Sequence, residues 1–329
     1  PDLISGGGSG KVERITPMFD MLEILKKQHG GEITYEPAFS DIGMDTAFMN
    51  LGIAVENAAE SDVNIVFAGT GAFIEHEGVD RATMKLDKTT EQTILDTAAV
   101  NSNTVVVLFA GSPIDMREWI DEVGAVVYVG FPGEKGGEAI ANILTGKVNP
   151  SGKLTETFPL SYNDTPASQG YVDSKVTRYE EGLDVGYRFF DTYGIPVLFP
   201  LGHGKSYSQF VYSGLNLKTD GKALEVSYEI ENCSDIDGKE ISQIYVRAMS
   251  SYIYRPYKEL KGFAKTFVEA GVKQSVYVKL DMRAFEYWST ANDKWMVEDG
   301  VYEIIVGASA TDEKLREKVK IKEGKIILF

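Results

Sequence analysis

The stretch Val63-Asn64-Ile65-Val66-Phe67-Ala68-Gly69 is a short apolar run that ends at a glycine. Two further runs of the same kind occupy residues 104–111 and 125–131, and none of the three alternates regularly between polar and apolar side chains. Strands that are covered on both faces of a parallel sheet have this composition. The sequence therefore predicts three parallel strands in the first half of the chain.

Helical patterns precede and separate these strands. Apolar residues recur at helical spacing in residues 17–29, 50–61, 89–100 and 137–144. A short strand is expected at residues 32–35, after the Gly30-Gly31 pair that ends the first helix. Strands that alternate with helices are typical of βαβ units. We therefore predict an α/β fold, a mostly parallel α/β sandwich domain, for this part of the chain.

The last third of the chain has the two-residue period of half-buried strands. Apolar and polar residues alternate in residues 224–230, 276–280 and 301–306. Turn-forming pairs occur at Asp237-Gly238, Ala270-Gly271 and Asp299-Gly300. Short alternating strands with such turns predict an all-β antiparallel sandwich. Residues 160–207 lack a regular period but are rich in aromatic residues, which predicts an ordered connector rather than a disordered linker.

Composition restricts the class of partner. The chain has 33 basic and 49 acidic residues and a formal net charge of −16, which opposes binding to nucleic acid or to an anionic membrane and favours a neutral ligand. No run approaches the roughly 20 apolar residues of a membrane-spanning helix, and no signal-peptide pattern opens the sequence. We expect a soluble protein, either cytoplasmic or exported. The single cysteine, Cys233, excludes an internal disulfide framework.

The loop after the first strand carries five ionisable residues in seven positions, Glu75-His76-Glu77-Gly78-Val79-Asp80-Arg81. A carboxylic acid can protonate a leaving group when its surroundings keep it protonated, and neighbouring charges can tune that equilibrium. Ligand sites in α/β sheets concentrate in loops that follow the strands. The loop is therefore a candidate site for acid–base chemistry, and a solvated turn without a specific role is the alternative interpretation.

Cofactor and metal motifs are incomplete in this sequence. Gly6-Gly7-Gly8-Ser9-Gly10 is not followed by the Lys-Ser or Lys-Thr of a phosphate-binding loop, and Gly69-Thr70-Gly71 lacks the third glycine of a dinucleotide fingerprint. Ser112 lacks the Gly-x-Ser-x-Gly context of a nucleophile, so a role in its turn is the simpler interpretation. No metal-ligand spacing is formed by the three histidines, His29, His76 and His203. We expect no cofactor and no metal.

Several long motifs follow one another in a fixed order. Besides the loop at residues 75–81 they include Phe131-Pro132-Gly133-Glu134-Lys135-Gly136-Gly137, Gly182-Leu183-Asp184-Val185-Gly186-Tyr187-Arg188 and Leu201-Gly202-His203-Gly204-Lys205-Ser206-Tyr207. Together they resemble glycoside hydrolase family 3, the family of β-glucosidases and β-xylosidases, over nearly the whole chain. Lys205 departs from the pattern, which usually has Leu at that position.

The resemblance implies a particular domain organisation. An α/β sandwich domain is followed in that family by a fibronectin type III-like domain, and both accompany a catalytic (β/α)8 barrel that this chain lacks. We expect a sandwich domain with the acid/base loop at residues 1–160, an ordered aromatic-rich linker at 161–205 and a fibronectin type III-like, immunoglobulin-like sandwich at 206–329. The missing barrel is then an expected partner of this chain.

The resemblance also implies an activity, that of a retaining, exo-acting β-glycosidase that hydrolyses terminal non-reducing β-linked sugars. In the family, an Asp of the barrel attacks the anomeric carbon and a Glu of the sandwich domain protonates the departing oxygen. Glu77 matches that Glu best, because it stands directly before Gly78 and four positions before Arg81. Glu75 is the second choice. His76, Asp80 and Arg81 are expected to support the substrate or the loop, the last two through a salt bridge.

The expected substrate is a β-linked glucoside or oligosaccharide, with a β-glucosidase as the simplest assignment. The chain alone is expected to be inactive without the barrel and its nucleophile. A non-catalytic carbohydrate-binding or assembly module is the alternative, because a fold does not determine a function.

Overall fold

The computed structural model describes residues 18–38, 50–70, 75, 78, 80–169, 176 and 178–329. The chain divides into two compact units. Residues 1–148 and 160–162 form the first unit, and residues 149–159 and 163–329 form the second. Within the described residues, no helix is long and apolar enough to cross a membrane. The domain boundaries expected from the sequence stay a prediction.

The first unit contains a three-stranded parallel sheet. Its strands are β1 (Asn64–Gly69), β2 (Thr104–Phe109) and β3 (Ala125–Tyr128), and β2 lies in the centre. Gly69 pairs with Phe109, and Leu108 pairs with Tyr128, so the carboxyl ends of all three strands lie at one edge. The prediction of a parallel sheet from three uninterrupted apolar runs is confirmed.

Helices cover the sheet as the periodicity predicts. They are α1 (Met18–His29), α2 (Leu51–Glu60), α3 (Lys88–Val100) and α4 (Gly136–Leu144). Asp87 caps α3, where its carboxylate accepts a 3.0 Å hydrogen bond from the Thr90 amide. The core on one face combines α1, β2 and α4 through Met21, Leu25, Val107, Phe109, Ile140 and Ala141. The strand expected at residues 32–35 is wrong, because these residues form no ladder with any described strand.

The second unit begins with a segment that pairs with residues far along the chain. β4 (Phe158–Pro159) pairs with β5 (Val197–Phe199), and the short helix α5 (Tyr187–Tyr193) lies between them in sequence. The Leu154 amide donates to the His203 carbonyl at 2.8 Å, and the Gly202 amide donates to the Leu154 carbonyl at 2.8 Å. These bonds explain why residues 149–159 belong to the second unit.

The rest of the second unit is an antiparallel β sandwich. Its strands are β6 (Phe210–Thr219), β7 (Ala223–Asn232), β8 (Gly238–Ala248), β9 (Glu259–Val268), β10 (Lys273–Asp281), β11 (Tyr287–Ser289), β12 (Lys294–Met296), β13 (Gly300–Gly307), β14 (Glu313–Lys322) and β15 (Lys325–Leu328). One sheet has the order β10-β7-β6 and the other has β15-β14-β13-β8-β9, while β11 and β12 form a separate ribbon.

The alternating pattern of β7 is visible in its burial. Leu224, Val226 and Ile230 are fully buried, and they pack in one core with Ile244 and Ile304 of the opposite sheet. Successive side chains of a strand point to opposite faces of the sheet. One face of β7 therefore fills the core, while the other faces water. The predicted all-β sandwich is confirmed.

Candidate functional site

Glu75, the first ionisable residue of the loop after β1, is held at the carboxyl edge of the parallel sheet. Its Oε2 accepts hydrogen bonds from the Thr70 hydroxyl at 2.5 Å and from the Gly111 amide at 3.1 Å. Its Oε1 accepts a bond from the Ser112 hydroxyl at 3.0 Å. Both carboxylate oxygens of Glu75 are therefore occupied by donors from the ends of two neighbouring strands.

The partners of Glu75 are themselves fixed by the sheet. Thr70 is buried, and its amide donates to the Phe109 carbonyl at 3.0 Å, which extends the β1–β2 pairing by one residue. At position 111 a Cβ would lie 2.9 Å from Oε1 of Glu75 and 2.6 Å from the Phe131 ring, so only glycine allows this close approach. The register of the two strands thus sets the position of the carboxylate.

Arg81 lies after the loop and contacts the same strand end. Its Nη1 donates to the Ser112 hydroxyl at 2.7 Å and to the Pro113 carbonyl at 3.4 Å. Burial lowers the pKa of the Arg81 guanidinium, and the Coulomb attraction of Glu75 opposes that change. Nε and Nη2 of Arg81 are buried and have no hydrogen-bond partner among the described residues. A permanently charged guanidinium in such surroundings depends strongly on each acceptor that it retains.

Ser112 connects these two residues. Its hydroxyl donates to Glu75 and accepts from Arg81, so one oxygen links the residue before the interval 76–80 to the residue after it. Gly78, inside this interval, has a φ of +85°, a left-handed conformation that favours glycine. Glu75, Ser112 and Arg81 will be called the loop bridge.

The other residues expected in the site are placed as follows. Glu77, the first choice for the acid/base, and His76 lie outside the described residues. Asp80 is described and exposed. Arg81 donates hydrogen bonds to Ser112 and Pro113. The supporting roles of Asp80 and Arg81 stay predictions.

Sequence reasoning missed Thr70, Gly111 and Ser112. Ser112 was expected to act in its own turn, but its hydroxyl contacts residues 37 and 31 positions away. The usable signal was the position of each residue after a predicted parallel strand, because such ends meet at one edge of the sheet.

The remaining sequence candidates form no second site within the part of the chain that the structure describes. Residues 6–10 lie outside the described part of the chain. His203 lies in a turn, where its ring stacks on Phe199 at 4.8 Å between centroids. Among the described residues, no group of three or more His, Cys, Asp or Glu side chains is arranged to hold a metal ion.

Family models match both parts of the chain. Residues 1–187 match the glycosyl hydrolase family 3 C-terminal domain, and residues 240–310 match a fibronectin type III-like domain. The two matches place the chain among the glycoside hydrolases. Because the first match covers more than half of its residues, the chain belongs to glycosyl hydrolase family 3.

Individual relatives agree with this assignment. Thermostable beta-glucosidase B of Acetivibrio thermocellus is 41% identical over 95% of this chain and 42% of its own length. An exo-alpha-(1->6)-L-arabinopyranosidase of Bifidobacterium longum is 38% identical over 93% of this chain and 41% of its own length. The crystal structure of a Bifidobacterium adolescentis GH3 beta-glucosidase superposes with a TM-score of 0.90 at 34% identity, and covers 96% of this chain and 47% of that one. The chain thus spans less than half the length of these relatives.

Proposed function

We propose that this chain is the C-terminal part of a retaining, exo-acting β-glycosidase, with a β-glucosidase as the simplest assignment. It supplies Glu77 as the general acid/base, and a (β/α)8 barrel outside this chain supplies the Asp nucleophile. The substrate is a β-linked glucoside or oligosaccharide with a free non-reducing end. The match to relatives that are named beta-glucosidases supports this reaction class.

The loop bridge is the observation that carries the proposal. It fixes both ends of the interval 76–80 at the carboxyl edge of a parallel sheet, where ligand sites of α/β folds concentrate. A proton donor must be held in position relative to the glycosidic oxygen before it can accelerate cleavage. A short segment that is anchored on both sides meets this requirement better than a free surface loop.

The contacts of Glu75 favour Glu77 over Glu75 as the acid/base. Three protein donors engage the two oxygens of Glu75, so its carboxylate already serves to join the ends of β1 and β2. Glu77 follows two positions later in the sequence, between the anchored residues Glu75 and Arg81. Glu75 is therefore assigned as an anchor, and Glu77 retains the chemical role.

Two steps complete the reaction. In the first, the Glu77 carboxylic acid gives its proton to the glycosidic oxygen while the Asp of the barrel attacks the anomeric carbon, which releases the aglycone and forms a glycosyl ester. In the second, the Glu77 carboxylate removes a proton from water, whose oxygen attacks the anomeric carbon and frees the Asp. Retention requires the two carboxyl groups to lie about 5–5.5 Å apart.

His76, Asp80 and Arg81 are proposed to support this site. Arg81 brings a buried positive charge close to the loop, as its interaction with Glu75 indicates. Such a charge stabilises neighbouring carboxylates in their ionised form. This effect suits the second step, in which the acid/base acts as a carboxylate.

The test uses the full-length protein and an aryl β-glucoside. Glu77→Gln removes the acid and the base, so kcat should fall by about 10²–10⁴-fold. Azide should restore part of the rate and yield a β-glycosyl azide, because azide attacks the glycosyl ester without a general base. Glu75→Gln is the matched control and should show no azide recovery. If azide rescues Glu75→Gln and not Glu77→Gln, the assignment is overturned.

One observation favours the alternative of a non-catalytic sugar-binding module. Trp288 and Trp295 face each other across the β11–β12 ribbon, and each is 45% exposed. Aromatic faces of this kind bind apolar faces of sugars, although the Arg283 guanidinium already lies 3.2 Å from the centre of the Trp295 ring. Calorimetry of this chain with glucose, cellobiose and xylobiose separates the two functions. Millimolar or tighter binding that is lost in Trp288→Ala supports the sugar-binding module. Absence of measurable binding supports the proposal that this chain carries half of an active site.

A further inference from the structure

One strand of the second unit carries a basic side chain at every second position. Residues 314–325, which include most of β14 and the start of β15, contain six basic and two acidic residues, although the whole chain contains 33 basic and 49 acidic residues. Side chains at every second position of a strand point to the same face of the sheet. This segment therefore presents a row of positive charge on a protein that is acidic as a whole.

Four members of this series are exposed lysines. Lys318, Lys320 and Lys322 alternate along β14, and Lys325 of β15 pairs directly with Lys322. These four residues will be called the lysine row. Among the residues that the structure describes, none of their ammonium groups forms an ion pair, whereas Arg316 on the same strand forms two. The row thus keeps its charge available to a ligand.

The acidic residue that pairs with the row is engaged elsewhere. Glu303 of β13 stands opposite Lys318 in register, but its Oε2 lies 3.5 Å from Nη1 of Arg316 and 3.7 Å from Nη1 of Arg247. Glu303 is also buried. Its charge is therefore shared between two arginines and leaves the exposed lysines without a counterion.

Two lysines of the row repel each other. Lys322 and Lys325 form the last register pair of the β14–β15 hairpin. Like charges directly opposite each other on neighbouring strands destabilise a sheet. Glu323 lies in the turn between them, and its amide is held by the Asp299 carboxylate at 2.9 Å. An anion bound at the two ammonium groups would relieve this repulsion, so the pair gains more from an anion than two isolated lysines would.

We propose that the lysine row binds a linear anionic polysaccharide whose carboxylates lie along the strand. Alternate side chains of a strand are about 7 Å apart, so the row fits a ligand whose charge repeats along a line. A membrane fits less well, because an extended anionic surface would also approach the acidic remainder of a molecule of net charge −16. A single chain contacts the row alone, and charges more than about 10 Å away are largely screened at about 0.1 M salt.

Nucleic acid is the competing linear polyanion. Proteins that bind single strands combine basic groups with several aromatic side chains on which the bases stack. The residues that pair with Lys320 on either side are Val301 and Ile327, neither of which is aromatic. Phe329, beyond the β14–β15 ladder, supplies one ring. The row is therefore built to recognise charge, and binding there would hold the enzyme on an acidic sugar polymer without involving its site of hydrolysis.

The experiment measures binding of fluorescein-labelled polygalacturonate to the full-length protein by fluorescence anisotropy, at about 50 and about 200 mM salt. The row variant combines four substitutions: Lys318→Gln, Lys320→Gln, Lys322→Gln and Lys325→Gln. The matched control removes the same charge from exposed lysines on other strands of the sandwich: Lys218→Gln, Lys239→Gln, Lys265→Gln and Lys279→Gln. A neutral β-glucan, a thymidine oligonucleotide and phosphatidylserine vesicles serve as competing ligands.

We expect the unaltered protein to bind polygalacturonate, and binding should weaken as salt increases. The row variant should bind at least about tenfold more weakly at the lower salt, and the control should stay within about twofold of the unaltered protein. Three results would overturn the proposal: no binding by the unaltered protein, equal weakening in both variants, or preference for one of the competing ligands.

Two further measurements keep the result interpretable. Circular dichroism checks the fold of each variant; if the row variant is unfolded, Lys320→Gln combined with Lys322→Gln replaces it and should weaken binding about threefold. Binding by this milder variant that equals that of the unaltered protein would also refute the proposal. Hydrolysis of an aryl β-glucoside should be the same in the row variant and the unaltered protein, because the row lies outside the proposed catalytic loop. A loss of hydrolysis in the folded row variant would contradict a separate binding surface.

Discussion

The Ser112 hydroxyl donates a 3.0 Å hydrogen bond to the Glu75 carboxylate across 37 residues of sequence. The same hydroxyl accepts a 2.7 Å bond from Arg81, so it satisfies an anion and a cation at once. Hydrogen bonds to charged groups contribute more to stability than neutral ones do. Ser112 is therefore the residue on which both ends of the candidate loop depend.

Ser112→Ala should destabilise the first unit. It removes a donor to Glu75 and leaves Nη1 of Arg81 with the Pro113 carbonyl at 3.4 Å as its described acceptor. We expect the free energy of unfolding to fall by about 1–3 kcal/mol, measured by urea denaturation of this chain. Ser112→Thr retains the hydroxyl and is the matched control. Equal stability of Ser112→Ala and the unaltered protein would show that the loop bridge contributes no energy.

Thr70 and Glu75 should be energetically coupled. An amide in Glu75→Gln offers one acceptor oxygen where the carboxylate offers two, and Thr70→Val removes the hydroxyl that bonds Oε2 at 2.5 Å. We expect each substitution to cost about 1–3 kcal/mol and the double substitution to cost clearly less than the sum. Denaturation of the unaltered protein, the two single variants and the double variant measures the coupling free energy between Thr70 and Glu75. Strict additivity would contradict the proposed anchoring bond.

Gly202 should tolerate alanine much less well than Gly194 does. Both have positive φ, +79° and +63°, so alanine costs about 1–2 kcal/mol of backbone strain at either position. At position 202 a Cβ would also lie 2.0 Å from Nε2 of the buried Gln243, which donates to the Ala308 carbonyl at 3.3 Å. No atom of the described residues lies within 4 Å of a Cβ at position 194. Thermal unfolding of Gly202→Ala and Gly194→Ala compares their losses of stability. Equal losses would show that the clash with Gln243 has no effect.

His203 should make the second unit less stable at mildly acidic pH. Burial lowers the pKa of its imidazole, nearby Lys205 and Lys153 lower it further, and Asp312 opposes them. Below the ordinary histidine pKa of about 6.5 the unfolded chain binds a proton that the folded chain does not, so stability falls as pH decreases through this value. Above it, both states are neutral and the effect disappears.

The check is a comparison of unfolding free energies at pH 7.5 and about pH 5.5. His203→Gln should reduce the difference, and Lys205→Leu should reduce it by a smaller amount, because it removes one repelling charge and leaves the burial. His29→Gln, at an exposed position, is the control. A pH dependence that is unchanged in His203→Gln would exclude this histidine as its source.

Local sequence patterns were sufficient to predict most of the fold. The apolar runs of β1, β2 and β3 predicted a parallel sheet, because only strands covered on both faces lack polar alternation. Alternation in β7 predicted a half-buried strand, and the burial of Leu224 and Val226 agrees. Residues 32–35 also alternate, but no described strand pairs with them. Alternation of polar and apolar residues shows that a segment is suited to a sheet with one buried face. The segment forms a strand only where a neighbouring strand is available to pair with it.

The contacts between residues of the candidate site could not be predicted from the spacing of these residues in the sequence. Glu75 and Ser112 are brought together by the pairing of Gly69 with Phe109, a long-range event that no local motif records. The acid–base interpretation of the loop came from its residue types, and the assignment of Glu77 came from family resemblance. Only the three-dimensional arrangement distinguishes an anchored Glu75 from a free one.

The 2.5 Å contact between Thr70 and Glu75 closes a ring around residues 71–74, and the contacts of Ser112 with Glu75 and Arg81 close a second ring around residues 76–80. Each ring is fastened by side chains outside the interval that it encloses. Positions 71–74 can therefore be varied in a combinatorial library while Thr70, Glu75, Arg81, Ser112 and the proposed acid/base Glu77 stay constant. Such a library would vary the first ring without altering the side chains that close either ring.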